Sequence, residues 1–317
     1  MPELPEVETI KRDLTRLIVG RKILDITTDS PKQVQPSLRL MKKGALGASI
    51  KKINRRAKVL QIILSNGKVL IFHLKMTGRL LVRKKNAPKD DWQHVVFSLS
   101  GGKELRFADL RKFGWVRLLK NEQELDKILG GFGPEALDGI SLEEFKAALS
   151  SSSRAVKLVI LDQKKIAGVG NIYACDALNL AKIDPRRPAN KLSKNEAKKL
   201  LQAIKKVLKA GIKYRGASDQ YYLDALGRKG KYQDHFLVYN REGKRCFNTT
   251  ASRRIVRRNT GHEPQPRRRR GSPACRQGRN AAYRSPRVGG GFHCSGVVKK
   301  IKISGRGTYF CPACQKN

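Results

Sequence analysis

The chain is 317 residues long and 39% hydrophobic, enough for one large domain or for two domains with separate cores. Its 68 Lys and Arg against 26 Asp and Glu leave a formal net charge of +42. An excess of that size costs self-repulsion in a folded protein, so it points to a polyanionic partner, nucleic acid foremost. No apolar run reaches the roughly 18 residues of a membrane-spanning helix, and no secretory leader opens the chain, so the expectation is a soluble cytosolic protein. In a reducing compartment the six cysteines suit metal binding or buried thiols better than disulfides.

Residues 5–19, "PEVETIKRDLTRLIV", predict an amphipathic helix with Val7, Ile10, Leu14 and Leu17 on one stripe, Pro5 in its first turn and Gly20 at its stop. From about 22 to 118 the pattern shortens to period two, in "VLQIIL", "KVLIFHL", "HVVFSL" and "ELRFADL", with Asn66-Gly67 as a hairpin turn. An antiparallel β-sandwich or barrel behind one helix follows. After the Gly/Pro-rich "GGFGPEAL" the period lengthens into four helices: "SLEEFKAALS", "AVKLVILDQ", "GNIYACDALNLAKI" and "SKNEAKKLLQAIKKVLKAGI". The last opens with a capping box at Ser193 and Glu196. Cys175, in an apolar stretch, reads as a buried thiol.

The segment 248–292 differs in kind, with 12 Arg, no Lys and almost no apolar periodicity, and it predicts disorder. Three cysteines beyond it, Cys294, Cys311 and Cys314, are one short of a closed zinc site. Removing the segment joins "KRCF" to "HCSG" and makes Cys246 the fourth ligand of a zinc ribbon, C-x2-C, 16 residues, C-x2-C. Closing a loop of that length costs about 3–4 kcal/mol. A structural zinc site contributes on the order of 10–16 kcal/mol and outweighs it. Cys275, His262 and His293 are substitute ligands should the interrupted knuckle fail to aim both sulfurs.

With the ribbon restored, "MPELPEVE", "DLRKFG" at 109–114, "AGVGNIY" at 167–173 and "KISGRGTYFCPACQ" together resemble the formamidopyrimidine-DNA glycosylase family, in order, over nearly the whole chain. The resemblance implies an α+β architecture: a catalytic β-sandwich domain at 1–130, a helix-two-turn-helix domain at 131–235, and a zinc-finger region at 236–317 interrupted by the insertion. It implies a monomeric bifunctional DNA glycosylase and abasic-site lyase acting on damaged duplex DNA, with one structural Zn2+ as its metal.

Residue by residue, the resemblance makes Pro2 the nucleophile once Met1 is removed. An α-amino group titrates near pH 8, so a useful fraction is free base at neutrality. Glu3 becomes the acid/base group on the sugar ring oxygen, Glu6 the second carboxylate, and Lys58 a lysine near the lesion phosphate. His73 and Arg79 become phosphate contacts. Flipping a base needs an apolar wedge and a donor for the orphaned partner. Met76 with Arg111 and Phe113 match those positions, and the guanidinium fork of Arg111 suits the Watson-Crick edge of cytosine. In "GVGNIY" the two glycines allow close approach to phosphate, and Asn171 and Tyr173 open a helix whose free amides favour anions. Lys157 is a further phosphate ligand, and Arg306 at the ribbon tip grips the lesion phosphates. Residues 215–233 match a loop that closes over the extruded base, with Ser218 its contact.

Two other readings remain open on the sequence. One is an endonuclease VIII-like enzyme for oxidised pyrimidines, against which "PELPEVE" and the Arg-Lys-Phe wedge weigh in favour of oxidised purines. The other is a DNA-binding protein without catalysis.

Overall fold

The structure is a computed structural model, and it describes residues 2–247 and 294–316. The expected disorder at 248–292, and the substitute ligands Cys275, His262 and His293, lie outside the described residues.

Helix α1 (Leu4–Ile18) buries Val7, Ile10, Leu14 and Ile18 against a β-sandwich. Ile18 takes the place expected for Leu17, which is half-buried, because 7, 10, 14 and 18 follow the 3.6-residue repeat more closely. The sandwich is built from β1 (Ile23–Thr28), β2 (Val34–Gln35), β3 (Ile50–Arg56), β4 (Val59–Leu64), β5 (Val69–His73), β6 (Gly78–Lys84), β7 (Gln93–Leu99), β8 (Lys103–Asp109) and β9 (Trp115–Leu119), with α2 (Leu38–Ala45) inserted after β2. One sheet has the order β1-β7-β8-β6 and the other β2-β9-β5-β4-β3. All pairings are antiparallel except the two-residue β2–β9 contact, which is parallel. Gly67 turns the β4–β5 hairpin at φ +78°, as the Asn-Gly pair predicts.

Helix α3 (Glu122–Leu129) explains why "VLQIIL" does not alternate with polar residues. Leu60, Ile62 and Leu64 point into the sandwich, while Val59 and Ile63 lie beneath Leu125 of α3 on the opposite face. Both faces of β4 are therefore covered.

The second core is helical, from α4 (Leu142–Ser150), α5 (Val156–Leu161), α6 (Asn171–Ala181) and α7 (Lys194–Lys213). Ser193 and Glu196 cap α7 reciprocally, Ser193 Oγ accepting the Glu196 amide and the Glu196 carboxylate accepting the Ser193 amide. Leu4 leaves the sandwich and inserts into this core, so the first turn of α1 stands at the junction of the two cores. The chain ends in a hairpin, β10 (Lys299–Ile303) and β11 (Arg306–Phe310). Its turn residues Ser304 and Gly305 both have positive φ, +45° and +75°, the pattern of a two-residue hairpin turn. Among the described residues no helix is long and apolar enough to cross a membrane.

Candidate active site and zinc ribbon

The site begins with the residues that lead into α1. Pro2 and Glu3 are both buried, and Glu3 precedes α1 in extended conformation. Its carboxylate is received by the first amides of α6: the Ile172 N–H donates to Oε1 at 3.0 Å and the Tyr173 N–H to Oε2 at 3.5 Å. Unpaired amides at a helix start attract anions, and here the anion belongs to the protein. The two glycines make the approach possible. A Cβ on Gly170 would stand 2.1 Å from Glu3 Cδ, and one on Gly168, which has φ +98°, would stand 2.4 Å from Leu4 Cδ1. The "GVG" turn expected to admit a phosphate therefore admits Glu3 and Leu4, and the Leu4 N–H donates to the Gly168 carbonyl at 3.2 Å.

Glu6 lies one turn along and is also buried. Its carboxylate accepts the Glu3 amide at 2.8 Å, the Tyr173 hydroxyl at 2.7 Å and the Ala217 amide at 2.8 Å. It therefore ties α1, α6 and the 215–233 loop to one point. Lys58, in the β3–β4 turn, is buried rather than solvated at a strand edge. Burial pushes the Lys58 ammonium pKa down, Glu3 and Glu6 hold it up, and the positive charge of Arg306 lowers it further. Burial raises the Glu3 pKa to about 7 against the opposing pull of Lys58, with the Glu6 charge adding to the rise. A carboxyl that is half protonated at neutrality can both donate and accept a proton.

The four cysteines Cys246, Cys294, Cys311 and Cys314 converge, their sulfurs all within 4.8 Å of one another. Cys246 Sγ lies 3.7 Å from Cys314 Sγ, and Cys294 Sγ 3.5 Å from Cys311 Sγ. Tetrahedral zinc with bonds of about 2.3 Å separates its sulfurs by about 3.8 Å, so the set fits one structural Zn2+. The ribbon is fastened to the helices by Gln315, which accepts from Asn179 Nδ2 at 2.9 Å and donates to the Ile183 carbonyl at 2.9 Å. At the other end of the ribbon, Lys157 and Asn171 hold the hairpin. Lys157 Nζ donates to Thr308 Oγ1 at 2.6 Å and to the Gly307 carbonyl at 3.2 Å, and Asn171 Nδ2 donates to that carbonyl at 3.0 Å. Arg306, beside them, is exposed.

Three family models match the chain in order: the formamidopyrimidine-DNA glycosylase N-terminal domain over residues 1–116, the formamidopyrimidine-DNA glycosylase H2TH domain over 132–222, and the zinc finger found in FPG and IleRS over 293–317. The formamidopyrimidine-DNA glycosylase of Desulforamulus reducens is 36% identical over 321 residues, covering 100% of this chain and 99% of its own.

The chain belongs to the formamidopyrimidine-DNA glycosylase family.

Lactococcus lactis Fpg superposes with a TM-score of 0.81 at 31% identity, each chain covered in full, in complexes with DNA containing an abasic site and with DNA containing N7-benzyl-Fapy-dG. The α+β fold, the DNA glycosylase class and the zinc ribbon expected from the sequence are those of this family.

Within this glycosylase, the expected wedge is exposed rather than part of the core. Met76 in the β5–β6 loop is 42% exposed, Phe113 in the β8–β9 loop is 54% exposed, and the Arg111 guanidinium lies 4.5 Å over the Phe113 ring. Sequence reasoning assigned no role to Asp109 and Thr77, which build this platform. The buried Asp109 carboxylate accepts the Gly114 amide at 2.7 Å and the Thr77 hydroxyl, and Thr77 Oγ1 in turn accepts the Arg111 amide at 3.1 Å. The readable signal was the Asp-x4-Gly spacing inside "DLRKFG", a carboxylate placed to close its own turn.

Three residues read as phosphate ligands have other partners. Lys157 is fully buried beneath the ribbon with its ammonium on Thr308, so it positions Arg306 rather than standing in the open. Tyr173 is buried against Glu6. Arg79 donates from Nε at 2.6 Å to the carbonyl of Tyr221, on the 215–233 loop, and lies 5.3 Å over the Trp92 ring. His73 is half-buried, and its Nδ1 accepts the Lys75 amide at 3.0 Å, which leaves the proton on Nε2. Burial and two neighbouring lysines push its pKa down to about 4, so it is a neutral donor at neutral pH. Ser218 works within its loop, accepting from the Gly230 amide and donating to the Tyr222 carbonyl.

Proposed function

We propose that this glycosylase removes oxidised purines, 8-oxoguanine and formamidopyrimidines, from duplex DNA as a monomer in the cytoplasm, using the amine of Pro2. The observation that carries the reading is Glu3, held by the first amides of α6 beside Pro2, with its pKa raised to about 7. The Lactococcus lactis relative seated on abasic-site and Fapy-dG DNA supports the formamidopyrimidine part of this reading, and the same relative is also seated on DNA containing an oxidised pyrimidine.

Removal of Met1 frees a secondary amine at Pro2. Its lone pair attacks C1′ of the damaged nucleotide, the C1′–N bond breaks with its electrons leaving on the base, and the proton shed by the newly bonded amine nitrogen passes to the departing base, which restores a lone pair to the amine. Glu3 in its protonated form delivers a proton to the ring oxygen O4′, the ring opens, and the amine lone pair completes an iminium at C1′. The Glu3 carboxylate, left ionised, then takes a C2′ proton as the 3′ phosphate departs with the C3′–O electrons, and loss of the C4′ proton in a second elimination expels the 5′ phosphate. Met76, Arg111 and Phe113 fill the vacated stack and face the orphaned cytosine, while Lys58, His73, Asn171 and Arg306 meet the backbone around the lesion. Cys246, Cys294, Cys311 and Cys314 would hold one Zn2+, which would fix the ribbon that carries Arg306. The resemblance implies domains at 1–130, 131–235 and 236–317, and Leu4, packed in the helical core, supports a reacting amine near the junction of the first two.

Incubation with a labelled duplex carrying 8-oxoguanine opposite cytosine tests this. The expected product is a one-nucleotide gap flanked by 3′ and 5′ phosphates. Excision confined to oxidised pyrimidines would transfer the reading to an endonuclease VIII-like enzyme, and tight binding without excision would leave a damaged-DNA-binding protein.

A further inference from the structure

The 215–233 loop is fastened to the sandwich at three points outside the catalytic cluster. The Val82 amide donates to the Ala225 carbonyl at 2.8 Å, Arg83 Nη1 donates to the Leu226 carbonyl at 3.2 Å, and Arg79 Nε donates to the Tyr221 carbonyl. The third point is different because it includes Trp92, which precedes β7. Its ring lies beneath the Arg79 guanidinium and meets the Tyr221 ring edge-on, 6.3 Å between centroids at 84°. Its carbonyl accepts the Asp109 amide at 2.9 Å, the residue that organises the Arg111–Phe113 platform.

Trp92 is also strained and unusually open. It has φ +57°, in the left-handed region where a bulky side chain is disfavoured, and it is 39% exposed. Folding alone would select Gly or Asn at such a backbone position and would bury a tryptophan elsewhere. The strain is held by contacts on both sides, to the platform through the backbone and to the loop through the ring.

We propose that Trp92 is a positioning residue that latches the 215–233 loop over an extruded base and couples that closure to the platform facing the opposite strand. The inference rests on the functional reading above. It makes base excision depend on Trp92, while cleavage at a site that has no base to cover does not.

The test compares single-turnover rates on a duplex with 8-oxoguanine and on one with an abasic site. Trp92→Gly suits the positive φ of the backbone there. It is expected to slow 8-oxoguanine excision about tenfold, the joint effect of an aromatic pair and a cation–π contact, and to leave abasic-site cleavage near the wild-type rate. Trp92→Phe keeps an aromatic face and should recover most of the loss. Tyr221→Ala attacks the same contact from the loop, and the double variant should be little slower than the worse single one. Unchanged excision in Trp92→Gly, or an equal fall on both substrates, would overturn the latch. Should Trp92→Gly fail to fold, Tyr221→Ala is judged by the same two rates. A wild type inert on 8-oxoguanine would instead count against the substrate reading, which separates the two failures.

Discussion

Glu3 occupies space that only a glycine at position 170 can leave, because a Cβ there would stand 2.1 Å from the Glu3 Cδ. The acid/base carboxylate is thus placed by a residue 167 positions away, across the junction of two cores. Gly170→Ala should expel the carboxylate from the α6 amides. Misplacing a reacting group by about 1 Å costs on the order of 100-fold, so excision should fall by at least that factor. Gly170 has φ −127°, a conformation any residue adopts, so the melting temperature should move far less than activity. Loss of fold in step with loss of rate would count against this placement.

The Glu3 pKa of about 7 gives the rate a defined pH dependence. The protonated carboxyl is the ring-oxygen acid, so its fraction falls as pH rises through about 7. The Pro2 amine must be unprotonated and loses that state as pH falls below about 8, the ordinary α-amino range. A bell-shaped single-turnover profile with a narrow summit follows. In Glu3→Gln the alkaline limb should vanish while the acid limb remains; a profile that keeps both limbs would assign the alkaline one to another group.

A large share of the fold and site was legible in the chain, and the failures share a cause. Cys246 could be paired with Cys294 because the insertion differs so sharply in composition that removing it restores the C-x2-C spacing. The α1 stripe and the α7 capping box are local and periodic. Helix α2, capped by Ser37 accepting the Leu40 amide, is only two turns long and sits inside a period-two region, so no periodicity marked it in the sequence. Helix α3 was hidden for the same reason of length. The partners that the sequence did not reveal were all long-range: the carboxylate at the α6 amides is Glu3, the Lys157 ammonium meets Thr308, and Arg79 meets Tyr221. Residue type revealed the need for a partner at each of these positions, and only tertiary structure could reveal which partner met it.

Zinc acts at a distance from its four sulfurs. Cys246→Ser, or chelation of the metal, should release the hairpin from Lys157 and Asn171 and with it Arg306, the residue next to the held Gly307. Losing one charged contact to phosphate costs about 1.5–3 kcal/mol, so duplex affinity should weaken by about tenfold or more. Far-ultraviolet circular dichroism should change little, since both main cores exclude the ribbon cysteines. Metal analysis of the wild type should give one zinc per chain, and binding that survives complete zinc removal would contradict the coupling.

Arg111 is placed to read the base left behind. Its guanidinium stacks on Phe113 and its backbone is fixed through Thr77 and Asp109. Arg111→Lys keeps the charge but loses the planar fork. The preference for cytosine opposite the lesion should shrink by about 1–3 kcal/mol, read as the ratio of excision rates against cytosine and adenine. An unchanged ratio would remove Arg111 from that role.

The central claim is that Pro2 is the nucleophile, and borohydride trapping tests it most directly. Full-length protein whose N-terminus is confirmed as free Pro2 would be mixed with a duplex carrying 8-oxoguanine opposite cytosine and then reduced. The account predicts a covalent protein–DNA adduct that maps to Pro2 and disappears when Pro2 is replaced. An adduct that persists without Pro2, or maps to Lys58, would contradict it.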